Sequence, residues 1–441
     1  MKTRVLLAGF IGLLTAAWAW DDLYMNPMTG DLPWLVRQHG LYLTGLLSIG
    51  LMSLVMVLAV RPAWLEGPLG GMDKIYHLHK WGGILAISFA AAHWLFEMAS
   101  DPLKEMFGKS GRPAKDAVLF FMQPMRSEAK DLGEFAIYIL LGLLVLALWK
   151  RFPYRPWRLL HKAMPVLYLM AAVHVVALMP VVYWSGPTGL LQIALLAGGS
   201  VAAVISLTQR IGVRRRHEGR IEAVTQRGDV LEVVCDPGPR WKGHCAGQFA
   251  FVTFDRLEGA HPFTIASAPQ PGSRQITFQI KALGDYTRKL ARRLSAGQAV
   301  TVEGPYGRLD WRGGRKDAEQ VWVAGGIGVT PFLAWLESMR HAPATVPVTM
   351  HYCVRNAATD PFVERMKQLC AELPNVTLHV HDTSRAELLD AEKVLAASGA
   401  RMGKMDVWFC GPAGFAESLN HGLRSVVGRG LRMHREAFDM R

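Results

Sequence analysis

Four histidines inside two apolar stretches are the residues best placed to do chemistry: His79 and His93 in LHKWGGILAISFAAAHWLF, and His161 and His174 in LLHKAMPVLYLMAAVHVVAL. An imidazole in hydrocarbon is costly unless something claims its nitrogens, and paired ligation of haem iron is such a claim. His93 follows His79 by fourteen positions and His174 follows His161 by thirteen. At a rise of about 1.5 Å per residue the first interval covers roughly 21 Å, which would set one iron near each face of a bilayer. Helical phase brings His93 within about 40° of His79 but leaves His174 about 140° from His161. Pro165 is expected to kink or rephase that second segment. His77 competes with His79, but its phase puts it about 160° from His93.

The histidines need spans to carry them. Of 441 residues, 51% are hydrophobic, and the long apolar runs end near Leu207. Six membrane spans are expected, at 4–20, 34–60, 77–98, 132–149, 160–182 and 187–208. Lys2 and Arg4 precede the first, Lys150, Arg151, Arg155, Arg158 and Lys162 join the fourth to the fifth, and Arg210, Arg214, Arg215 and Arg216 follow the sixth. The segment after the first span instead carries Asp21, Asp22 and Asp31. This asymmetry predicts a multi-pass protein of the inner (plasma) membrane with both termini cytoplasmic. His79 and His161 would then share the cytoplasmic level, and His93 and His174 the outer one. The first span also imitates a cleaved signal peptide, an alternative that would not move the soluble half.

The net charge of +13 is accounted for by cytoplasmic membrane-edge residues and by anionic nucleotides, so nucleic-acid binding is not expected. Cys235, Cys245, Cys353, Cys370 and Cys410 all follow the last span and are scattered, without the plant-type iron–sulfur spacing. A reducing compartment suits them.

From about Gly219 short alternating strands separated by glycine and proline predict a small antiparallel barrel. After about Asp317 strands alternate with helices, which predicts a doubly wound parallel sheet. AGGIGVTPF (324–332) falls where the first strand of that sheet meets its first helix, a place where glycines let amides approach a pyrophosphate. FCGP (409–412) ends a later strand, so both motifs open on one carboxyl-terminal edge. HPFTIAS (261–267) offers a ring, a hydroxyl and a rigid proline to lie against a flavin. KALGDYTRKL brings Lys281, Gly284 and Thr287 to a helix start, where phosphate is favoured.

Together these motifs resemble the ferric reductase and NADPH oxidase superfamily over nearly the whole chain. The resemblance implies a six-span α-helical haem bundle (1–210), an antiparallel β-barrel FAD domain (211–316) and an α/β Rossmann-like NAD(P) domain (317–441). It implies two b-type haems on His79/His161 and His93/His174. His261, Pro262, Phe263, Thr264, Ser267 and Ile280 would contact FAD, with Thr264 near the flavin ring and Lys281 standing where an arginine often meets its phosphates. Gly325, Gly326, Gly328, Thr330 and Pro331 would hold the dinucleotide, and Cys410, Gly411 and Pro412 would lie by the nicotinamide. Phe438 resembles the aromatic that covers the flavin until the nicotinamide displaces it, with Met440 as the alternative register. Arg355 after HYCV would meet a 2′-phosphate or serve as a surface arginine, so NADPH and NADH both stay open.

Two departures from the family pattern narrow the reading. No calcium-binding loop precedes the first span, which speaks against direct calcium control. Glu97 stands where superoxide-producing members often place a histidine, which weakens the oxidase reading. Arg37, at the outer end of the second span, would pair with a haem propionate, help an anionic product or snorkel.

The expected activity is electron transfer from NAD(P)H through FAD and two haems to an outer acceptor, either ferric chelate or dioxygen. The alternatives are an electron-donating subunit for a periplasmic partner docking on segment 99–131, and a non-enzymatic haem or nucleotide sensor, for which a complete relay would be superfluous.

Overall fold

The computed structural model describes residues 2–149, 151–255, 258–342, 346–398 and 403–436. The chain divides into two compact units, one ending at Ile211 and the other beginning at Gly212.

The first unit is helical. Among the described residues six helical segments are long and apolar enough to cross a membrane: Thr3–Met25, Leu32–Ala59, Met72–Phe107, Phe120–Leu148, Arg155–Leu178 and Pro187–Leu207. The second is the central one, with 61% of its most apolar window buried against 17–28% for the others. Its Leu46, Leu47, Ile49, Leu51, Met52 and Met56 form the middle of the bundle, and its Ser48 hydroxyl donates to Ala86 O at 2.9 Å. The remaining spans therefore keep broad apolar faces outward, as lipid-facing helices do.

Span boundaries differ from expectation where local chemistry intervenes. The third span begins at Met72 because Gly70 (φ +87°) and Gly71 (φ +124°) end the preceding short helix in left-handed conformations. The fourth takes in a 3₁₀ turn, Phe120–Met125, and a charged first helical turn. The fifth is two helices, Tyr154–His161 and Met164–Leu178, with Lys162 and Ala163 in a turn between them. It stops at Leu178, short of the expected 182, because Pro180 follows.

The second unit joins a barrel to a sheet. Strands β1 (Arg216–Arg227), β2 (Val230–Asp236), β3 (Phe249–Thr253), β4 (His261–Thr264), β5 (Ile276–Lys281) and β6 (Ala299–Tyr306) pair antiparallel in the order β4-β3-β6-β1-β2-β5. An isolated bridge, Ile265 to Phe278, brings the two edges together. Val233, Val252, Ile265, Ile276, Phe278 and Val302 fill the interior.

Strands β7 (Glu319–Gly325), β8 (Val348–Val354), β9 (Val376–Asp382), β10 (Met405–Cys410) and β11 (Leu431–Arg435) form a parallel sheet in the order β11-β10-β7-β8-β9. The strand order reverses beside β7, between β8 and β10, the switch point where open α/β sheets bind ligands. Trp322, Phe332, Trp335 and Trp408 are buried on one face of the sheet. Trp335 Nε1 donates across to Ala246 O at 3.0 Å, tying the sheet to the barrel.

His351 on β8 is 1% exposed and shares a 3.0 Å hydrogen bond with His381 on β9, while His379 stacks on it. Burial pushes the His351 imidazole down to about 3. Its unfolded counterpart takes a proton near pH 6.5, so between about 6.5 and 3 the unfolded chain binds more protons and stability falls as pH falls. Thermal melting of the full-length protein is expected to lose at most about 1.4 kcal/mol of stability per pH unit from this group, a dependence that His351→Asn should flatten.

Candidate functional site

The four histidines face one another in two pairs across the spans. The ring centroids of His79 and His161 are 6.1 Å apart, and those of His93 and His174 are also 6.1 Å apart. The backbone anchors three of the rings. His79 Nδ1 donates to Val55 O at 3.1 Å, His93 Nδ1 to Leu41 O at 2.8 Å and His174 Nδ1 to Ala129 O at 2.7 Å. A carbonyl only accepts, so Nδ1 carries the hydrogen and Nε2 is left with its lone pair. His161 stacks on Trp157 at 4.9 Å. His77 is exposed and turned towards Trp81, which leaves His79 as the paired residue. The phase conflict in the fifth span is resolved at its break: His161 ends one helix and His174 belongs to the next.

Two glycines that the sequence reading did not single out make room for these rings. A Cβ on Gly45 would lie 2.9 Å from His93 Nδ1, and one on Gly133 would lie 2.3 Å from His174 Nδ1. Their sequence signal was a bare glycine in an apolar helix, which carries no hint of the partner.

An ion cluster lies one turn beyond His93. Arg37, buried at 4% exposure, donates from Nε to Phe96 O at 3.0 Å and from Nη2 to the Glu97 carboxylate. Lys130, next to the Ala129 that holds His174, reaches Glu97 at 3.3 Å.

In the barrel, the His261 ring stacks on Tyr286 at 4.2 Å, which brings it to the start of the helix Asp285–Arg293 and so beside Gly284 and Thr287. Thr287 Oγ1 accepts from the amides of Leu283 and Gly284, both at 3.0 Å. Phe263 packs against the barrel interior near Phe254 and Phe278, and strand alternation turns Pro262 and Thr264 to the other face. Ser267 Oγ accepts from Thr277 N at 3.0 Å, closing the barrel. Ile280 is 2% exposed in the core. Lys281 pairs with Asp229 at 3.3 Å across the β2–β5 edge.

On the sheet, Gly325 ends β7, Gly326 turns with φ +54°, and Gly328 leads into the helix Thr330–Met339, whose second residue is Pro331. A Cβ on Gly328 would lie 2.2 Å from Cys410 O, and one on Gly411 would lie 3.2 Å from Gly325 Cα. The two glycine turns are therefore in backbone contact, with Pro412 against Gly325. Burial pushes the Cys410 thiol up to about 12, so it is neutral near pH 7 and contributes shape rather than a thiolate. Arg355 is exposed directly after β8.

Glu436 was not expected. Its carboxylate accepts from Arg308 N, sits against Gly307 and acts electrostatically on Cys410. It thus stands between the barrel exit after β6 and the end of β10. Its only sequence signal was its place two residues before Phe438. Phe438 and Met440 themselves lie outside the described residues.

Three family profiles match this chain in succession. "Ferric reductase like transmembrane component" matches residues 44–172, "FAD-binding domain" 218–310 and "Oxidoreductase NAD-binding domain" 322–421. Ferric reduction oxidase 7, chloroplastic, of Arabidopsis thaliana is 30% identical over 172 residues, covering 34% of this chain and 22% of the relative. Respiratory burst oxidase homolog protein E of the same plant is 29% identical over 213 residues, covering 41% and 21%. The Vanillate O-demethylase oxidoreductase of Pseudomonas putida is 28% identical over 184 residues, covering 41% and 51%. The matches span about a fifth to a half of the length of these relatives. With all three parts present in one chain, it is a ferric reductase- and NADPH oxidase-like protein, a membrane component carrying an FAD- and NAD(P)-binding reductase module.

Proposed function

We propose that this protein moves electrons from cytoplasmic NAD(P)H, through FAD and two b-type haems, to an acceptor on the outer face of the plasma membrane, with both termini in the cytoplasm. The observation that carries the reading is the pair of matched imidazole gaps, each with ring centroids 6.1 Å apart. An iron bound by two imidazole nitrogens at about 2 Å each requires centroids roughly 6 Å apart, so both gaps fit the group. His79 with His161 would hold one haem, and His93 with His174 the other. The domain division at 1–210, 211–316 and 317–441 belongs to the same proposal.

When bound, the flavin takes two electrons together as hydride and hands them on singly, and each haem carries one at a time. This chain's own residues supply position and field. The carbonyls of Val55, Leu41 and Ala129 fix ring orientation and tautomer. The Gly326 turn and the helix beginning at Thr330 offer amides to a pyrophosphate, and Thr264 offers its hydroxyl to the flavin. Cys410, Gly411 and Glu436 shape the place where the nicotinamide would lie. Phe438 is proposed as the covering aromatic.

At the outer level Arg37 is engaged by Glu97 instead of being turned to a small anion. This favours ferric chelate over dioxygen as the acceptor. Purified protein is expected to oxidise NAD(P)H faster with ferric chelate than with air alone, and superoxide dismutase should leave the chelate-dependent rate unchanged. A rate that is full in air and coupled to superoxide would reverse the choice of acceptor.

A further inference from the structure

An aspartate and a histidine meet where the first two spans adjoin. The first span ends in a π turn, Trp20–Met25, which inverts the usual arrangement of a lipid-facing helix: Trp20, Leu23, Tyr24 and Met25 are exposed, while Asp21 and Asp22 are buried. The two acids are held differently. Asp21 accepts from Thr188 N at 2.8 Å and so ties down the start of the sixth span. Asp22, 2% exposed, is instead held by side chains that carry exchangeable protons, with His39 Nδ1 and the Tyr183 hydroxyl both bonded to its carboxylate. The His39 side chain is 23% exposed, so the pair is not sealed off.

This cluster flanks the His93–His174 pair on two sides. Tyr42 follows Leu41, whose carbonyl anchors His93, and its ring meets Tyr183 edge-on at 5.8 Å. Val175 follows His174 and packs with Trp18, Leu46, Met179 and Tyr183. The other charged and titratable groups around the cluster are engaged with one another. The Tyr42 hydroxyl donates to Asp116, which acts electrostatically on Asp22, and it accepts from Gln38 Nε2 at 2.5 Å. Arg37 is taken up by Glu97 and by Gln38 Oε1 at 3.0 Å, and Glu97 also by Lys130. A carboxylate beside a neutral imidazole is net negative, and one further proton makes the pair neutral. Ionisable side chains inside an apolar bundle are costly, and a paired acid and histidine there are suited to relaying protons.

Resting on the two-haem reading above, we propose that Asp22 and His39 form a redox-linked proton store. When an electron reaches the haem held by His93 and His174, the pair takes up one proton from the outer aqueous phase, and it returns that proton to the same phase when the electron leaves. One negative and one positive charge thus arrive together, and the net charge of the low-dielectric bundle is unchanged. Tyr183 positions the Asp22 carboxylate for the exchange.

Spectroelectrochemical titration of the full-length protein in detergent, loaded with FAD and both haems, tests this between about pH 5.5 and 8.5 without turnover. The reduction equilibrium of the His93–His174 haem is expected to shift by about three- to ten-fold per pH unit, tenfold being about 59 mV, with reduction favoured at lower pH. The His79–His161 haem should stay within about 1.5-fold per pH unit, and the His93→Ala protein, which keeps that haem alone, identifies its wave. Asp22→Asn and His39→Gln each preserve a hydrogen-bonding group while removing half of the proton store. Both should flatten the slope to that of the other haem with two haems per chain retained, and if Asp22→Asn loses haem, His39→Gln carries the comparison. A pH-independent equilibrium in the unsubstituted protein, or a slope that persists in the variants because the haem propionates produce it, would overturn the proton store alone. Absence of a haem on His93 and His174 would overturn the reading beneath it, and the proposal with it.

Discussion

His93→Ala is expected to yield a protein with about one haem per chain in place of two, and with transfer to an outer acceptor at background. The ring it removes faces His174 and is held by Leu41 O. Glu97, one turn on, does not take its place, because it is committed to Arg37 and Lys130. FAD content and NAD(P)H-dependent reduction of a soluble dye at the flavin should persist, since the barrel and the sheet belong to a separate compact unit. Gly133→Val is a milder version. Its Cβ would start 2.3 Å from His174 Nδ1 and displace the ring from its carbonyl anchor, so partial loss of the same haem is expected. The absorbance of extracted haem per chain checks both. A His93→Ala protein with unchanged haem content would show that the ring is structural.

The second large effect is one of stability. Trp335 is fully buried, with Trp322, Phe332 and Trp408 at centroid distances of 4.8, 5.1 and 5.6 Å. It also supplies the 3.0 Å bond to Ala246 O in the barrel. Trp335→Ala should cost about 3–5 kcal/mol through the cavity it leaves, lowering the temperature of flavin release by roughly 6–20 °C for a unit of this size. Trp335→Phe keeps most of the packing but strands the Ala246 carbonyl, for about 1–3 kcal/mol. Flavin fluorescence during heating of the full-length protein separates the two. Equal, small shifts would mean that the barrel and the sheet do not depend on this contact.

Much of this architecture was legible because it rests on local patterns. Apolar length gave the six spans, alternation gave the barrel strands, and strand–helix alternation with glycine turns gave the parallel sheet. The histidines were legible because an imidazole in an apolar run stands out against its surroundings. The break after His161 was less so: proline signalled a disturbance, but the angle it introduces depends on packing against other spans. Partners remote in sequence were illegible. Nothing near His174 announces Ala129 or Gly133, and nothing near Glu436 announces Arg308. Gly328 looked like a glycine that holds the dinucleotide and Gly411 like one beside the nicotinamide, whereas the first demand on both is the approach of two turns to each other. Lys281 carried a charge suited to phosphate, but its pairing with Asp229 depends on strand register.

The central claim is tested most directly by haem and flavin content, measured together with anaerobic reduction of the purified full-length protein by NADPH. A ratio near two haems to one FAD per chain is expected, with both haems low-spin and both reduced by the nucleotide without added mediator. A ratio of one haem or fewer, or two haems that dithionite reduces and NADPH does not, would contradict the proposed electron path.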